Sequence, residues 1–236
     1  MSRFSQTAKD LKKLLDLEKE PVAISFKKEI PKDVKKYDGD EVPSGCTFWI
    51  KGQDSMFYTV ASDHYNCPIG TMTQGFQIPE ERMGEAMQLC QLMVTNKYLT
   101  TKEIENVPKV KSLPKAIVYG PLSHTKTIPD VVVFACTPYQ AMLVAEAVAA
   151  RYGEFPQLMG RPTCAAMPAA MGSQKVTLSL GCIGNRVYTE IGKDKMVVTI
   201  PGKELEKFLS SLKDIARAND FLETAHREKK KKIGGK

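Results

Sequence analysis

The stretch DVVVFACTPYQAMLVAEAVAARYG, residues 130–153, constrains the fold of this chain more than any other. From Val131 the run VVVFAC shows no polar alternation, the pattern of a strand buried on both faces. Thr137 then supplies a helix cap, Pro138 suits the first turn, and Gly153 offers a stop. A strand that passes directly into a helix is half of a β-α-β unit. The chain is therefore expected to layer helices on a sheet.

The remaining segments fit that expectation. AIVYGPL (116–122) reads as a second strand buried on both faces, KVTLSLG (175–181) and MVVTIP (196–201) as two more, and PVAISF (21–26) and MFYTVA (56–61) as earlier ones. Residues 5–18 predict a helix capped by Ser5, with Leu11, Leu14, Leu15 and Glu18 at three-four spacing. GCTFWI (45–50) predicts a short helix, and Pro68 opens another. Residues 79–98 predict a long helix with Met83, Met87, Cys90 and Val94 on its packed face. The polar segment from Lys27 to Val42 reads as a loop and TKEIENVPKVKSLPK (101–115) as a linker. A charged amphipathic helix is expected from about 202 to 218, with a second to His226. The expected fold is α+β, with one main β-sheet, packed helices and a strand order left undetermined. It forms one domain over residues 1–226, or two halves meeting near 100–115, followed by a basic flexible tail at 227–236.

Charge narrows the functional classes. The net charge is +7, but the last ten residues, REKKKKIGGK, carry +5 of it. The body is nearly neutral, and no basic stripe interleaved with aromatics is present, which argues against nucleic acid. No run approaches the roughly 20 apolar residues of a membrane span, and the start has no apolar core of a secretory signal. A cytoplasmic protein is expected, with its six cysteines reduced.

Those cysteines fall into two kinds. Cys90 lies on a helix face and Cys136 ends an apolar strand, and both read as packed thiols. Cys46, in PSGCTFW, falls in the first turn of a helix that Ser44 or Gly45 would cap. Cys67, in SDHYNCPIG, precedes Pro68 and so takes a cap position. Cys164, in GRPTCAAMP, follows Thr163 at a helix start, and Cys182, in LGCIGNR, lies between Gly181 and Gly184. At such turns backbone N–H groups point outward and stabilise a thiolate, the form that ligates metal. The spacings are long, with 20 residues between the first pair and 17 between the second, and no C-x-x-C occurs. A zinc ribbon or ferredoxin run is thereby excluded, while a site shared between two parts of the chain is not.

The stretches SGCTFWIKG, DHYNCPIG, PDVVVFACTPYQAM, GRPTCAA, LSLGCIGNR and MVVTIPGKELEKF together resemble the uncharacterised family called domain of unknown function 169, or ArCR. The resemblance runs from about residue 5 to residue 215 and keeps the family's order of motifs. It implies that the cysteines matching Cys46, Cys67, Cys164 and Cys182 belong together, and it implies an anaerobic setting, which suits an oxygen-sensitive cluster. It carries no established activity.

The expected function is that of a protein binding an iron–sulfur cluster, a 4Fe-4S cubane, through Cys46, Cys67, Cys164 and Cys182. It would serve electron transfer or small-molecule redox chemistry, with a redox partner protein or small molecule and a compatible homo-oligomeric state. Arg186 and Arg161, within four residues of Cys182 and Cys164, are candidate counter-charges for the cofactor. Two other readings use the same residues: a non-enzymatic module holding zinc or a small ligand, and a thiol enzyme with Cys67 as nucleophile and His64 as base. Haem bound without covalent attachment, through His64 or a cysteine, stays open. With three histidines a His-rich metal site is not expected, and no phosphate-binding loop or G-x-S-x-G is present.

Overall fold

The computed structural model describes residues 3–234. The chain runs through α1 (Ser5–Leu14), β1 (Val22–Lys27), α2 (Cys46–Lys51), β2 (Phe57–Thr59), α3 (Pro68–Thr73), α4 (Glu80–Thr95), α5 (Thr101–Asn106) and β3 (Ala116–Pro121). It continues through β4 (Val131–Cys136), α6 (Pro138–Tyr152), β5 (Gln157–Met159), α7 (Ala166–Ser173), β6 (Thr177–Ser179), α8 (Ile183–Thr189), β7 (Met196–Pro201) and α9 (Leu205–Ile233). The strands form a single seven-stranded sheet in the order β2-β3-β1-β4-β7-β6-β5. Only the β5–β6 pair is parallel. The fold is α+β, and the strand order now completes that description.

The pairing directions make β4 and β5 run the same way, so α6 crosses over two intervening strands rather than joining neighbours. Because β1 lies between β3 and β4, the parts before and after residue 115 interleave in one sheet and do not separate into halves.

The unbroken run VVVFAC has its cause in two cores, one on each face. Val132, Phe134 and Cys136 join the core built by Phe4, Leu11 and Leu15 near α1, Val144 and Ala147 of α6, and Phe208 and Leu212 of α9. Val131 and Val133 join the other, with Phe48 and Trp49 of α2, Phe57, Tyr119, Met167 and Ala170. Side chains alternate at period two, so a strand covered on both sides needs apolar residues at every position. The two cores are chemically unlike. Cys46 and Cys164 lie in the second, on the face opposite α1, α6 and α9.

α6 carries the expected cap. Thr137 Oγ1 accepts from Gln140 N at 3.3 Å, and Gln140 Oε1 accepts from Thr137 N at 2.7 Å. Gly153, at φ 70°, ends the helix in the left-handed region. Thr137→Ala is expected to cost about 1 kcal/mol of unfolding free energy in a urea titration. A loss below a few tenths would mean that tertiary packing alone holds the helix start.

Several expectations are corrected. α1 ends at Leu14, and Asp16 at φ 47° turns the chain, leaving Glu18 outside the helix. In α4 the packed stripe is Ala86, Leu89, Cys90 and Met93, while Met83, Met87 and Val94 are exposed. The expected linker contains α5, capped reciprocally by Thr100 and Glu103. β5, a three-residue edge strand, was not expected. The C-terminal helix does not break near residue 218, and α9 runs on through most of the segment expected to be a flexible tail. It contains neither Gly nor Pro, its Arg227 and Glu223 pair one turn apart, and the lysines of its last turn suit the negative end of the helix dipole. Gly235 and Lys236 of that tail lie outside the described residues. Among the described residues no helix is long and apolar enough to cross a membrane.

Candidate functional site

The four singled-out cysteines all stand at helix starts. Gly45 caps α2, and Cys46 follows it, its N–H donating to Ser44 Oγ at 3.2 Å. Cys67 is itself the cap of α3, with Pro68 in the first turn. Cys164 lies in a 3-10 turn, Thr163–Ala165, that leads straight into α7. Cys182 caps α8, and its Sγ accepts from Asn185 N at 3.4 Å. Turn-forming neighbours explain each placement: glycine before Cys46, proline after Cys67, and Gly181 at φ 80° before Cys182.

Side chains stitch these segments together. Thr163 Oγ1 accepts from Cys182 N at 2.7 Å, which ties the third cysteine segment to the fourth. Thr73 Oγ1 donates to Cys164 Sγ at 3.2 Å, which ties the end of α3 to the third. All four cysteines line one cavity of about 340 Å³. Gly70 belongs to the same design, because a Cβ there would stand 2.9 Å from Cys67 Sγ.

The sulfurs sense one another. Burial pushes the Cys46 thiol up to about 12, and the neighbouring Cys67 and Cys182 push the same way. Cys164 is raised as well, first by burial and then by Cys46, Cys67 and Cys182. With raised values, both are neutral thiols at pH 7 unless something at the site replaces their protons. The raised folded-state pKa of Cys46 stabilises the protein fully below its ordinary 9.0, and that contribution drains away as pH climbs toward 12. Metal-free protein is therefore expected to lose urea resistance between pH 8 and pH 10 more steeply than its Cys46→Ala variant. Equal slopes would show that the thiol is not held neutral.

Among the described residues no three His, Cys, Asp or Glu side chains form a group that could hold one metal ion. Five cysteines, the four at helix starts and Cys90, line the cavity, with no histidine or carboxylate among its lining residues.

The other candidates divide. His64 is buried, its Nε2 lies 2.8 Å from Thr59 Oγ1, and its ring packs against Phe48 and Phe76 at 4.7 and 5.1 Å. Burial lowers its pKa to about 3, so it is neutral. It does not line the cavity and has no hydrogen bond to the Cys67 sulfur, so the pair expected for a thiol enzyme is not formed. Arg186 is also corrected: it is absent from the cavity wall, and its guanidinium donates to the carbonyls of Gly192, Leu180 and Lys195 at 2.7, 2.5 and 3.0 Å. It clips the α8 turn in place. Arg161 does line the cavity, ion-paired to Glu103 at 2.9 Å and 4.9 Å from the Tyr98 ring centre. Cys136 belongs to the core on the far side of the sheet, as its packed reading requires.

Two features escaped the sequence. Asn185, buried and lining the cavity, stands close enough to Cys46 for its side-chain amide to hold down the thiol's pKa against burial, and that amide has no other hydrogen-bond partner among the described residues. Cys90 and Leu89 of α4, with Ile104 of α5, close the cavity from outside. The capping pair Thr100 and Glu103 was the readable sign of α5, and nothing local marked Asn185.

A helix-flanked mixed sheet with a thiol-lined cavity on one face defines the class of protein at hand. The chain belongs to the uncharacterised ArCR family, domain of unknown function 169, whose family model matches residues 10–211. It is 26% identical over 223 residues to the uncharacterized protein MJ0308 of Methanocaldococcus jannaschii, covering 90% of this chain and 94% of that one. No solved structure matches.

Proposed function

We propose that the cavity holds an iron–sulfur cluster, in the first instance a cubane, and that the protein serves electron transfer or small-molecule redox chemistry. The observation that carries this reading is that four cysteines from distant segments, each at a helix start, line one cavity. Four cysteine thiolates are the usual ligand set of such clusters, and when bound the cluster supplies a one-electron carrier.

The chain's own groups would have defined parts. Cys46, Cys67, Cys164 and Cys182 would be the ligands. Thr73 Oγ1–H already points at the Cys164 sulfur, and Asn185 N–H at that of Cys182; such donors stabilise thiolate charge and raise a reduction potential. Asn185 brings a further amide donor beside Cys46. Arg161 is one of two cations on the wall, with Lys109. A cluster held by all four sulfurs leaves no open iron, which favours electron transfer to a partner over catalysis.

The test is purification without oxygen, with iron, sulfide and zinc measured per chain. Brown protein with matched iron and sulfide, giving an electron paramagnetic resonance signal on reduction, is the expected result. Colourless protein containing zinc, or metal-free protein from iron-replete cells, would overturn the reading.

A further inference from the structure

The cavity has two unlike sides. Cys46 and Cys164 lie on the sheet side, inside the second core. The outer side is apolar: Leu89 and Met93 of α4 and Ile104 of α5 are half-buried there, and Tyr188 of α8 is more exposed. These residues belong to neither of the two cores, so the space they line is the reason for their partial cover. A chamber near 340 Å³ with a mostly carbon wall is in the range of small-molecule sites, which are largely apolar with a few polar groups that orient the ligand.

The charges on this wall have one sign. Lys109 lines the cavity, is exposed, and has no ion-pair partner among the described residues. Arg161 stands on the same wall, held against Tyr98 while Glu103 occupies part of its fork. No carboxylate lines the cavity. A neutral ligand would leave this cationic bias unused, and a cationic one would be repelled.

We infer that the outer side of the cavity binds a small organic anion with an apolar body, of the short-chain or aryl carboxylate class. Its body lies against Leu89, Met93, Ile104 and Tyr188, and its carboxylate faces Lys109 with Arg161 alongside. The inference goes beyond the cluster reading, since it rests on the wall and not on what the sulfurs hold.

The probes are 3-phenylpropionate and its neutral counterpart 3-phenylpropanol, titrated into the full chain purified without oxygen and followed by calorimetry and ligand-observed NMR. The acid is expected to bind more tightly than the alcohol. Lys109→Gln should weaken the acid about two- to fivefold, the size expected of one exposed charge pair, and leave the alcohol unchanged. Leu89→Trp and, separately, Ile104→Trp should abolish binding of both by filling the chamber, with circular dichroism confirming the fold. Equal affinity for acid and alcohol, no effect of Lys109→Gln, or no binding of either probe overturns the inference. Iron is measured on the same samples: iron-free protein that binds the acid defeats the cluster reading alone, and iron-loaded protein that ignores the acid defeats this inference alone.

Discussion

Cys164→Ser is expected to lower the iron content of anaerobically purified protein by about tenfold or more, with the fold intact. Removing mere supporting partners of a metal site already costs 10–100-fold in affinity, and a lost ligand costs at least as much. The fold should survive because serine is nearly isosteric and its hydroxyl can accept the same proton from Thr73 Oγ1 that the sulfur accepts now. Two controls sharpen the result. Cys136→Ser lies across the sheet and should keep its iron, although burying an unpartnered hydroxyl there costs about 1–3 kcal/mol. Cys90→Ser, on the cavity's outer wall, should also keep it. Full iron in Cys164→Ser, or loss in Cys90→Ser equal to that in Cys164→Ser, would show that the wrong sulfurs have been chosen.

The second large effect concerns the sheet itself. Gly202 follows β7, and a Cβ there would stand 1.8 Å from the carbonyl oxygen of Pro129. The contact is with backbone, so no side chain can swing aside. The same junction ties three strands: Gly202 N donates to Asp130 O at 3.0 Å, Asp130 N to Ile24 O at 3.0 Å, and Phe26 N to Asp130 Oδ2 at 2.7 Å. Gly202→Ala must therefore part β4 from β7 or shift the start of α9. A loss of about 3 kcal/mol or more is expected, equivalent to a Tm lower by roughly 6–12 °C in a chain of this size. Gly84, in α4 with open space around it, is the control: Gly84→Ala should stabilise slightly, by about 0.5–1 kcal/mol. A Gly202→Ala loss no larger than 1 kcal/mol would mean that the junction yields easily.

What the sequence revealed and what it hid follow from the range of the forces involved. The helix-start positions of Cys46, Cys67, Cys164 and Cys182 were legible because glycine, proline and small polar residues act on the backbone within a turn. VVVFAC was legible because burial on both faces erases alternation. The inward face of α4 was misread because Met83, Met87 and Val94 satisfy helical spacing as well as the true stripe of Ala86, Leu89, Cys90 and Met93. Periodicity identifies an apolar face only when a core demands it, and α4 covers a cavity instead. Arg186 was drawn toward the candidate site by its nearness to Cys182 in sequence, but backbone carbonyls on either side of α8 hold its guanidinium elsewhere. Its partners are the carbonyls of Leu180, before α8, and of Gly192 and Lys195, after it, a destination that no pattern of side chains announces.

The place of β1 in the sheet has a consequence for how this molecule comes into being. That strand, made early, has no complete set of neighbours until β3 and β4 have been synthesised to flank it. Cys46 and Cys67 are thus made well before the scaffold that orients them, and Cys182 arrives only just ahead of β7, the other neighbour of β4. Pairings between remote parts of a chain form late, after the entropy of closing long loops has been met. During synthesis the first two thiols therefore precede the strands that will hold them in place, and the chamber takes its shape only once β7 has joined the sheet.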